Sequence, residues 1–447
     1  MYNNDTIAAL ATPPGIGALA IIRISGENLA PLFQKLTKNK AVKDRFATFS
    51  SIYCPNTHDV LDSGLIVYFK APKSFTGEDL IEINCHGGEY ISKSILESLY
   101  AFNVRPANPG EFSFRAFMNG KIDLIQAEAI SELISSKSSL AVKNNLNSVN
   151  GYVSNYIDNL KNKLINLLSL IEHELDFTEE ELESTRYELL INKLIEINDG
   201  ISKIANTSAM GKMLSSGARV VLLGPPNAGK SSLFNAILGF DRAIVSEISG
   251  TTRDVVESWF ELKGIPVCLI DTAGYWDSDN YLESMGIERT KQQIELADII
   301  LFVDDKYPEE TFQNLNLDIN NSKIIFINSK SDLEEKTINS NKNSLLISSK
   351  KNEGIDTLLN MLSTKLSSVF GAHSDFDPII ISKRQRNLLL EAYSISQQAI
   401  VLAKNNIETD ILASTLHGLN DTLSEIIGNV SSSDVVNNIF SEFCVGK

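Results

Sequence analysis

Between residues 157 and 175 apolar side chains return every three or four positions, at Ile157, Leu160, Leu164, Leu167, Ile171 and Leu175. That period puts them on one stripe of a helix and predicts a helix packed along one face. The helical texture begins near residue 122 with "IDLIQAEAISELISSK" and runs to about 208. Before it, residues 1 to about 118 carry runs such as "GALAIIRISG", "SGLIVYFKAP" and "LIEINCHGG", punctuated by Pro and Gly, which predict a mixed α/β domain. After it, "ARVVLLG" opens an alternation of apolar strands and helical segments up to about residue 370, including "PVCLIDTAG", "ADIILFVDD" and "KIIFINSK". This alternation predicts a parallel sheet covered by helices. Helical periodicity returns in "SKRQRNLLLEAYSISQQAIVLAK" and continues to the end. Neither helical stretch alone supplies many helices with which to bury its apolar faces. We therefore expect one helical domain, residues 119–210 and 371–447, split by an α/β domain, residues 217–370, inserted into one of its loops.

Composition narrows the picture. At roughly 100–200 residues per domain, 447 residues allow about two to four domains. The fold class expected is a multidomain α/β plus all-α protein. No stretch approaches the ~18 uncharged apolar residues of a membrane span, and the first apolar run is broken by Arg23 and Glu27, so a cytoplasmic protein is expected. Cys54, Cys85, Cys268 and Cys444 are scattered without C-x-x-C spacing, which argues against a disulfide framework or a zinc site. His86, beside Cys85, has no partner ligands at metal spacing and reads as a turn or packing residue. With 40 Lys plus Arg against 56 Asp plus Glu, the formal charge of -16 repels a polyanion over most of the surface. A nucleic-acid substrate would be gripped locally or by a partner.

The inserted α/β domain carries specific chemistry. "GPPNAGKSS", Gly224 to Ser232, fits G-x-x-x-x-G-K-[ST] between a strand and a helix. Its glycines let backbone amides, including those of Asn227, Ala228 and Gly229, wrap phosphates. Lys230 then reaches the β and γ phosphates, Ser231 offers a magnesium ligand, and Ser232 continues the helix start. Downstream, "SEISGTTRD" supplies a switch segment of Ser246, Glu247, Ile248, Ser249, Gly250, Thr251 and Thr252. "DTAG" follows, with Asp271 near the metal, Thr272 and Ala273 beside it, and the Gly274 amide toward the γ phosphate. "SKSD", Ser329 to Asp332, offers Asp332 to the guanine edge and Lys330 to the ring face, while Ser329 stands where Asn or Thr is usual; "SSKKNEG", with Ser348, Ser349 and Lys350, forms the last base-contacting loop.

One residue type is missing. After DTAG the small signalling GTPases place a water-orienting glutamine, and here that position is Tyr275. An arginine finger supplies roughly 10³–10⁵ in rate, about 4–7 kcal/mol, so comparable help must come from elsewhere. The Asn227 carbonyl, with main-chain oxygens near Ser246 and Ile248, could hold a monovalent cation against the phosphates. On spacing alone, Asn227 reads as a polar residue satisfying its own turn.

These motifs, together with "NDTIAALATPPGIGALAIIRISG", "SFTGEDLIEINCHGG", "RPANPGEFSFRAFMNGKIDLIQAEAI", "ESMGIERT" and "IFSEFCVGK", closely resemble the MnmE (TrmE) family of tRNA modification GTPases over essentially the whole chain. The resemblance implies a tetrahydrofolate-binding, dimerising domain over residues 1–118, the split helical domain, and an inserted Ras-like P-loop G domain. It also implies a homodimer whose GTP hydrolysis is stimulated by potassium. By position the potassium ligands become Asn227, Ser246, Ile248 and Thr251, magnesium falls to Ser231 and Thr252, and Glu283 helps place the attacking water. Arg23, Glu82, Lys121 and Lys447 match the folate contacts, for a 5-formyl- or methylene-tetrahydrofolate. A carboxylate can pair with the amino-pyrimidine edge of a pterin, and cations with its carboxylates. Cys444 in the tail is a catalytic candidate, against the alternative of a small packing hydrophobe.

The reading is a GTPase that works with a FAD-dependent partner, MnmG (GidA), to add an aminomethyl or carboxymethylaminomethyl group to carbon 5 of the wobble uridine of tRNA. A ribosome-assembly or signalling GTPase without modification chemistry is the first alternative. A folate-dependent aminomethyltransferase acting without an RNA partner is the second.

Overall fold

The structure is a computed structural model that describes residues 5–175, 184–240, 256–271, 292–315, 320–333, 344–370, 379–380, 382–405, 409–429, 433–441 and 443–446. In chain order, the first part of the chain forms β1 (Ile7–Leu10), β2 (Leu19–Gly26), α1 (Ala30–Leu36), β3 (Thr48–Tyr53), β4 (Val60–Phe69), β5 (Asp79–His86), α2 (Glu89–Tyr100), β6 (Arg105–Pro106) and α3 (Glu111–Met118). Helices α4 (Leu124–Ser135), α5 (Ser139–Val149), α6 (Tyr152–Leu175), α7 (Ser184–Ala205) and α8 (Ser208–Ser216) follow. The second sheet region contains β7 (Ala218–Leu223), α9 (Lys230–Phe240), β8 (Val256–Leu262), β9 (Ile265–Asp271), β10 (Ile299–Asp304), α10 (Pro308–Asn314), β11 (Ile324–Asn328), β12 (Ser344–Leu346) and α11 (Ile355–Phe370). The chain closes with α12 (Lys383–Lys404), α13 (Thr409–Ile427) and α14 (Ser433–Ser441). Contacts divide it into two compact units, one of Met1–Ser131, Val149–Lys161 and Asn420–Lys447, the other of Glu132–Ser148 and Asn162–Leu419.

In the first unit six strands run in the order β3-β4-β5-β2-β1-β6. Alternation along β2 and β5 sends Ile22, Ile24, Ile81, Ile83 and Cys85 to a face covered by Phe33 and Leu36 of α1 and Ile95 and Leu99 of α2. The intervening residues Arg23 and Glu82 point the other way, facing each other across the β2–β5 ladder. The tail returns to this unit: Phe440 and Phe443 pack with Leu124 and Phe117, and the Gly110 amide donates to the Cys444 carbonyl at 3.3 Å.

In the second unit the sheet order is β12-β11-β10-β7-β9-β8. The β7, β9, β10, β11 and β12 ladders are parallel, and β8 joins antiparallel to β9 at the edge. Every residue of β9 and of β10 is buried, as a sheet covered on both faces requires. Val220 and Leu222 enter one core with Leu233, Ile237 and Leu358, while Val221, Leu223 and Phe302 enter another with Phe312. The predicted α6 seam is buried at Leu164, Leu167 and Ile171 in this unit and at Ile157 and Leu160 in the first. Helices α7 and α12, one on each side of the sheet region in sequence, pack together: Ser396 Oγ and Gln397 Nε2 both donate to Asn198 Oδ1 at 2.8 Å. The fold class is the one the pattern predicts, with helices from both flanks of an inserted P-loop α/β domain.

Two features depart from the sequence expectation. Helical structure runs past residue 208 to Ser216 and stops at Gly217, whose φ of +74° a side chain would strain and whose added Cβ would lie 2.3 Å from the Trp259 ring. Strand β8 was not anticipated. Its signal is the Lys263-Gly264 turn, both at positive φ, of the kind that closes a two-residue hairpin.

Candidate functional site

The phosphate loop follows β7 directly. At Gly224 a Cβ would come 2.0 Å from the Val303 carbonyl oxygen, so only glycine lets β7 and β10 approach there. Asn227 has φ +58° and Gly229 φ +93°, the left-handed turns that curl the loop back onto the α9 start. Lys230, the first residue of α9, is buried, and its Nζ donates to the carbonyls of Gly224 and Pro225 at 2.8 Å each. The loop thus holds a cation inside a ring of backbone, beside the amides at the start of α9, an arrangement suited to a polyphosphate. Ser231 and Ser232 continue the first turn of α9. Asp271 ends β9, is buried, and pairs in register with Leu222 one residue before the end of β7.

The loop after β11, where the sequence predicts base recognition, is joined to the phosphate loop by a hydrogen bond. Ser329, after β11, is buried; its hydroxyl donates to the Ala228 carbonyl at 2.6 Å and its amide to the Asp304 carbonyl at 2.9 Å. The serine hydroxyl thus ties this loop directly to the phosphate loop. Lys330 Nζ lies 3.3 Å from an Asp305 carboxylate oxygen. Asp332 Oδ1 accepts from Ser348 Oγ at 2.8 Å, and this bond holds the carboxyl below its ordinary range, ionised and able to accept from a guanine edge. The Ser348 hydroxyl also accepts from the Lys351 amide at 3.2 Å, so Ser348, Ser349 and Lys350 form one turn with Asp332.

In the first unit Arg23 Nε and Nη2 both donate to Glu82 Oε1, at 3.0 and 2.8 Å, leaving Oε2 open. The Arg23 guanidinium lies over the rings of Phe75 and Phe112, at 5.5 and 5.8 Å from their centres. Sequence reasoning did not single out these two aromatics, although both lie inside motifs it used, "SFTG" and "EFSF". Lys121 Nζ donates to the Pro72 carbonyl at 3.0 Å, and its stem lies against Gly77. The loop Pro72–Gly77 thus touches both Lys121 and, through Phe75, Arg23. Gly446 lies against the Leu10 carbonyl and Ala11 on the strand next to β2, and Cys444 is exposed, so a packing role for its thiol is removed. His86 pairs through Nδ1 with Asp62 at 2.7 Å, and Cys85 is buried against the Ala20 carbonyl. Among the described residues no group of three or more His, Cys, Asp or Glu could hold a metal ion, and no helix is long and apolar enough to cross a membrane. The expected site residues Ser246, Glu247, Ile248, Ser249, Gly250, Thr251, Thr252, Thr272, Ala273, Gly274, Glu283 and Lys447 lie outside the described residues, as does Tyr275.

Comparison with known proteins bears on both units. Among solved structures, the G domain of the Thermotoga maritima FeoB iron transporter is 25% identical, covering 33% of this chain and 98% of that chain, with a TM-score of 0.27. Aquifex aeolicus Era is 22% identical over 40% of this chain and 66% of that one, with a TM-score of 0.24. The family described as GTP-binding protein TrmE N-terminus matches residues 6–121, and the one described as MnmE helical domain matches residues 124–444. The tRNA modification GTPases MnmE of Francisella tularensis subsp. holarctica and of Francisella philomiragia subsp. philomiragia are each 38% identical over 463 aligned residues, covering 100% of both chains. With both family regions matched and relatives aligned from end to end, the chain belongs to the MnmE (TrmE) family of tRNA modification GTPases.

Proposed function

We propose that this GTP hydrolase of tRNA modification is a potassium-stimulated homodimer that works with a FAD-dependent MnmG (GidA) partner on carbon 5 of the wobble uridine of tRNA. The observation that carries the GTPase reading is the joined pair of loops, with buried Lys230 at the phosphates and the Ser329–Ala228 hydrogen bond fixing the distance from Lys230 to Asp332. Asp332 accepts from guanine and Lys330 lies along the ring. Ser231 and Thr252 hold magnesium, with Asp271 close by; the ion offsets charge on the β and γ phosphates. Potassium falls to Asn227, Ser246, Ile248 and Thr251; Asn227 supports this by its place in the phosphate loop, at φ +58° and three residues before Lys230. Glu283 orients the attacking water in place of the glutamine that Tyr275 displaces.

The front end, residues 1–118, takes a tetrahydrofolate derivative, which supplies the one-carbon unit. Glu82 Oε2 is available to the pterin amino edge while Oε1 stays anchored to Arg23, and the partly exposed Phe75 ring beside Arg23 offers an apolar wall, with the buried Phe112 ring behind it. Lys121 and Lys447 take the carboxylates of the tail, and Cys444 is the exposed nucleophile nearest in sequence. The helical parts 119–210 and 371–447 and the G domain 217–370 complete the chain, which acts in the cytoplasm. Replacing Glu82 by Ala removes the acceptor for the pterin edge, with an expected loss of about five- to hundredfold in folate affinity. Calorimetric titration with formyl-tetrahydrofolate measures it, alongside GTP hydrolysis, which should hardly change. Unchanged folate affinity removes Glu82 from the site; no folate binding by the unaltered protein removes the one-carbon chemistry and favours a binding switch without modification.

A further inference from the structure

The β8–β9 hairpin is a two-stranded arm with the nucleotide site at one end. Its register runs from Val256 opposite Asp271 to Leu262 opposite Ile265, about 20 Å at the strand rise of roughly 3.3 Å per residue. The Asp271 end pairs with β7 next to the phosphate loop. The opposite end is held by a short helical segment of the same unit, at three separate points. Glu261 accepts from the Ser139 amide at 2.8 Å and from the Ser139 hydroxyl at 2.6 Å, so a strand carboxylate caps the first turn of α5. Lys137 Nζ sits 3.3 Å from the centre of the Trp259 ring. At the turn, Gly264 has φ +88° and leaves only enough room for Leu140: a Cβ there would lie 3.2 Å from the Leu140 Cβ. Gly217, at the end of α8, gives Trp259 its space from the other side.

None of these contacts is needed to bind a phosphate or a base. Apolar packing already joins α5 to this edge, with Ala141 and Leu140 against the core of Phe260, Leu262 and Ile265; a charged cap, a cation over an aromatic ring and a glycine-tight turn add directional contacts that fix the arm at a set position. We propose that Lys137, Ser139 and Glu261 are positioning residues for GTP hydrolysis: they hold the far end of the hairpin so that Asp271 is set at the nucleotide, and through the same contacts the nucleotide state reaches α5. This rests on the GTPase reading above.

The sequence contains two tryptophans, Trp259 and Trp276. A Trp276→Phe protein therefore leaves Trp259 as the sole tryptophan, and its own turnover is the reference. In that background Trp259 emission should differ between GDP and a non-hydrolysable GTP analogue. Lys137→Ala should erase most of that difference and lower kcat by about tenfold with KM and GDP affinity within about twofold. Lys137→Arg, which keeps the cation over the ring, should restore both, and Glu261→Gln should reproduce the kcat loss in part. Retained GDP affinity shows that the variants are folded. Emission that is the same in both nucleotide states, or a Lys137→Ala protein with the full difference and full kcat, overturns the proposal. A protein that binds no guanine nucleotide fails the GTPase reading instead, before any of these comparisons is reached.

Discussion

GTP turnover should be at least tenfold faster in potassium than in sodium at equal ionic strength, and the advantage should vanish in Asn227→Ala while GTP is still bound. The physical ground is the missing glutamine. With Tyr275 after DTAG, the charge that develops between the β and γ phosphates needs a cation where other GTPases bring an arginine, a contribution of roughly 10³–10⁵. A cation of the right radius can take that place when oxygens converge on it. Asn227, at φ +58° in the phosphate loop, is three residues before Lys230 and carries a carbonyl that can do so. Sodium is smaller and would leave the loop oxygens at unfavourable distances. Steady-state phosphate release in the two salts checks the point; equal rates would exclude a potassium role, and an Asn227→Ala protein that kept the stimulation would place the cation elsewhere.

The second large effect belongs to the base. Asp332→Asn should weaken GTP by about a hundredfold and turn preference toward xanthosine nucleotides, because an amide offers a donor where guanine requires an acceptor. In the native protein the Ser348 hydroxyl donates to the carboxylate and lowers its pKa, and the loop is tied to the phosphate loop through Ser329 and Ala228. The substitution leaves that Ser329 tether in place, so the loss should fall on base discrimination and not on phosphate binding. Competition titrations with GTP, ATP and XTP separate the two. If ATP competes equally with GTP in the unaltered protein, guanine recognition by this loop is wrong.

What could be read from the sequence follows from which interactions are local. The phosphate loop was legible because its chemistry needs glycine at fixed offsets: Gly224 where β10 comes too close for a Cβ, and Gly229 where the chain turns left-handed into α9. The α6 seam was legible because one stripe of a helix repeats in the sequence. The tether made by Ser329 was not legible, since its partner, Ala228, is 101 positions away and nothing local says that a hydroxyl will reach it. For the same reason the Phe75 and Phe112 rings under Arg23 were missed, as was the clasp of Lys137 and Ser139 on β8. Strand β8 is antiparallel and lies at the sheet edge, so the parallel-strand alternation does not reveal it; its local signal is the Lys263-Gly264 turn between two alternating runs. The boundary at Gly217 was set by a tertiary contact with Trp259.

The central claim is that GTP hydrolysis by this chain serves a uridine modification carried out with a FAD-dependent partner. Nucleoside analysis of unmodified tRNA tests it most directly, after incubation with this protein, an MnmG-type partner, methylene-tetrahydrofolate, a nitrogen donor, potassium and GTP. The account predicts a carbon-5 aminomethyl-type uridine at the wobble position that is lost when this protein, the partner or GTP is omitted and when sodium replaces potassium. Formation of the same nucleoside without this protein, or at the full rate without GTP hydrolysis, would contradict it.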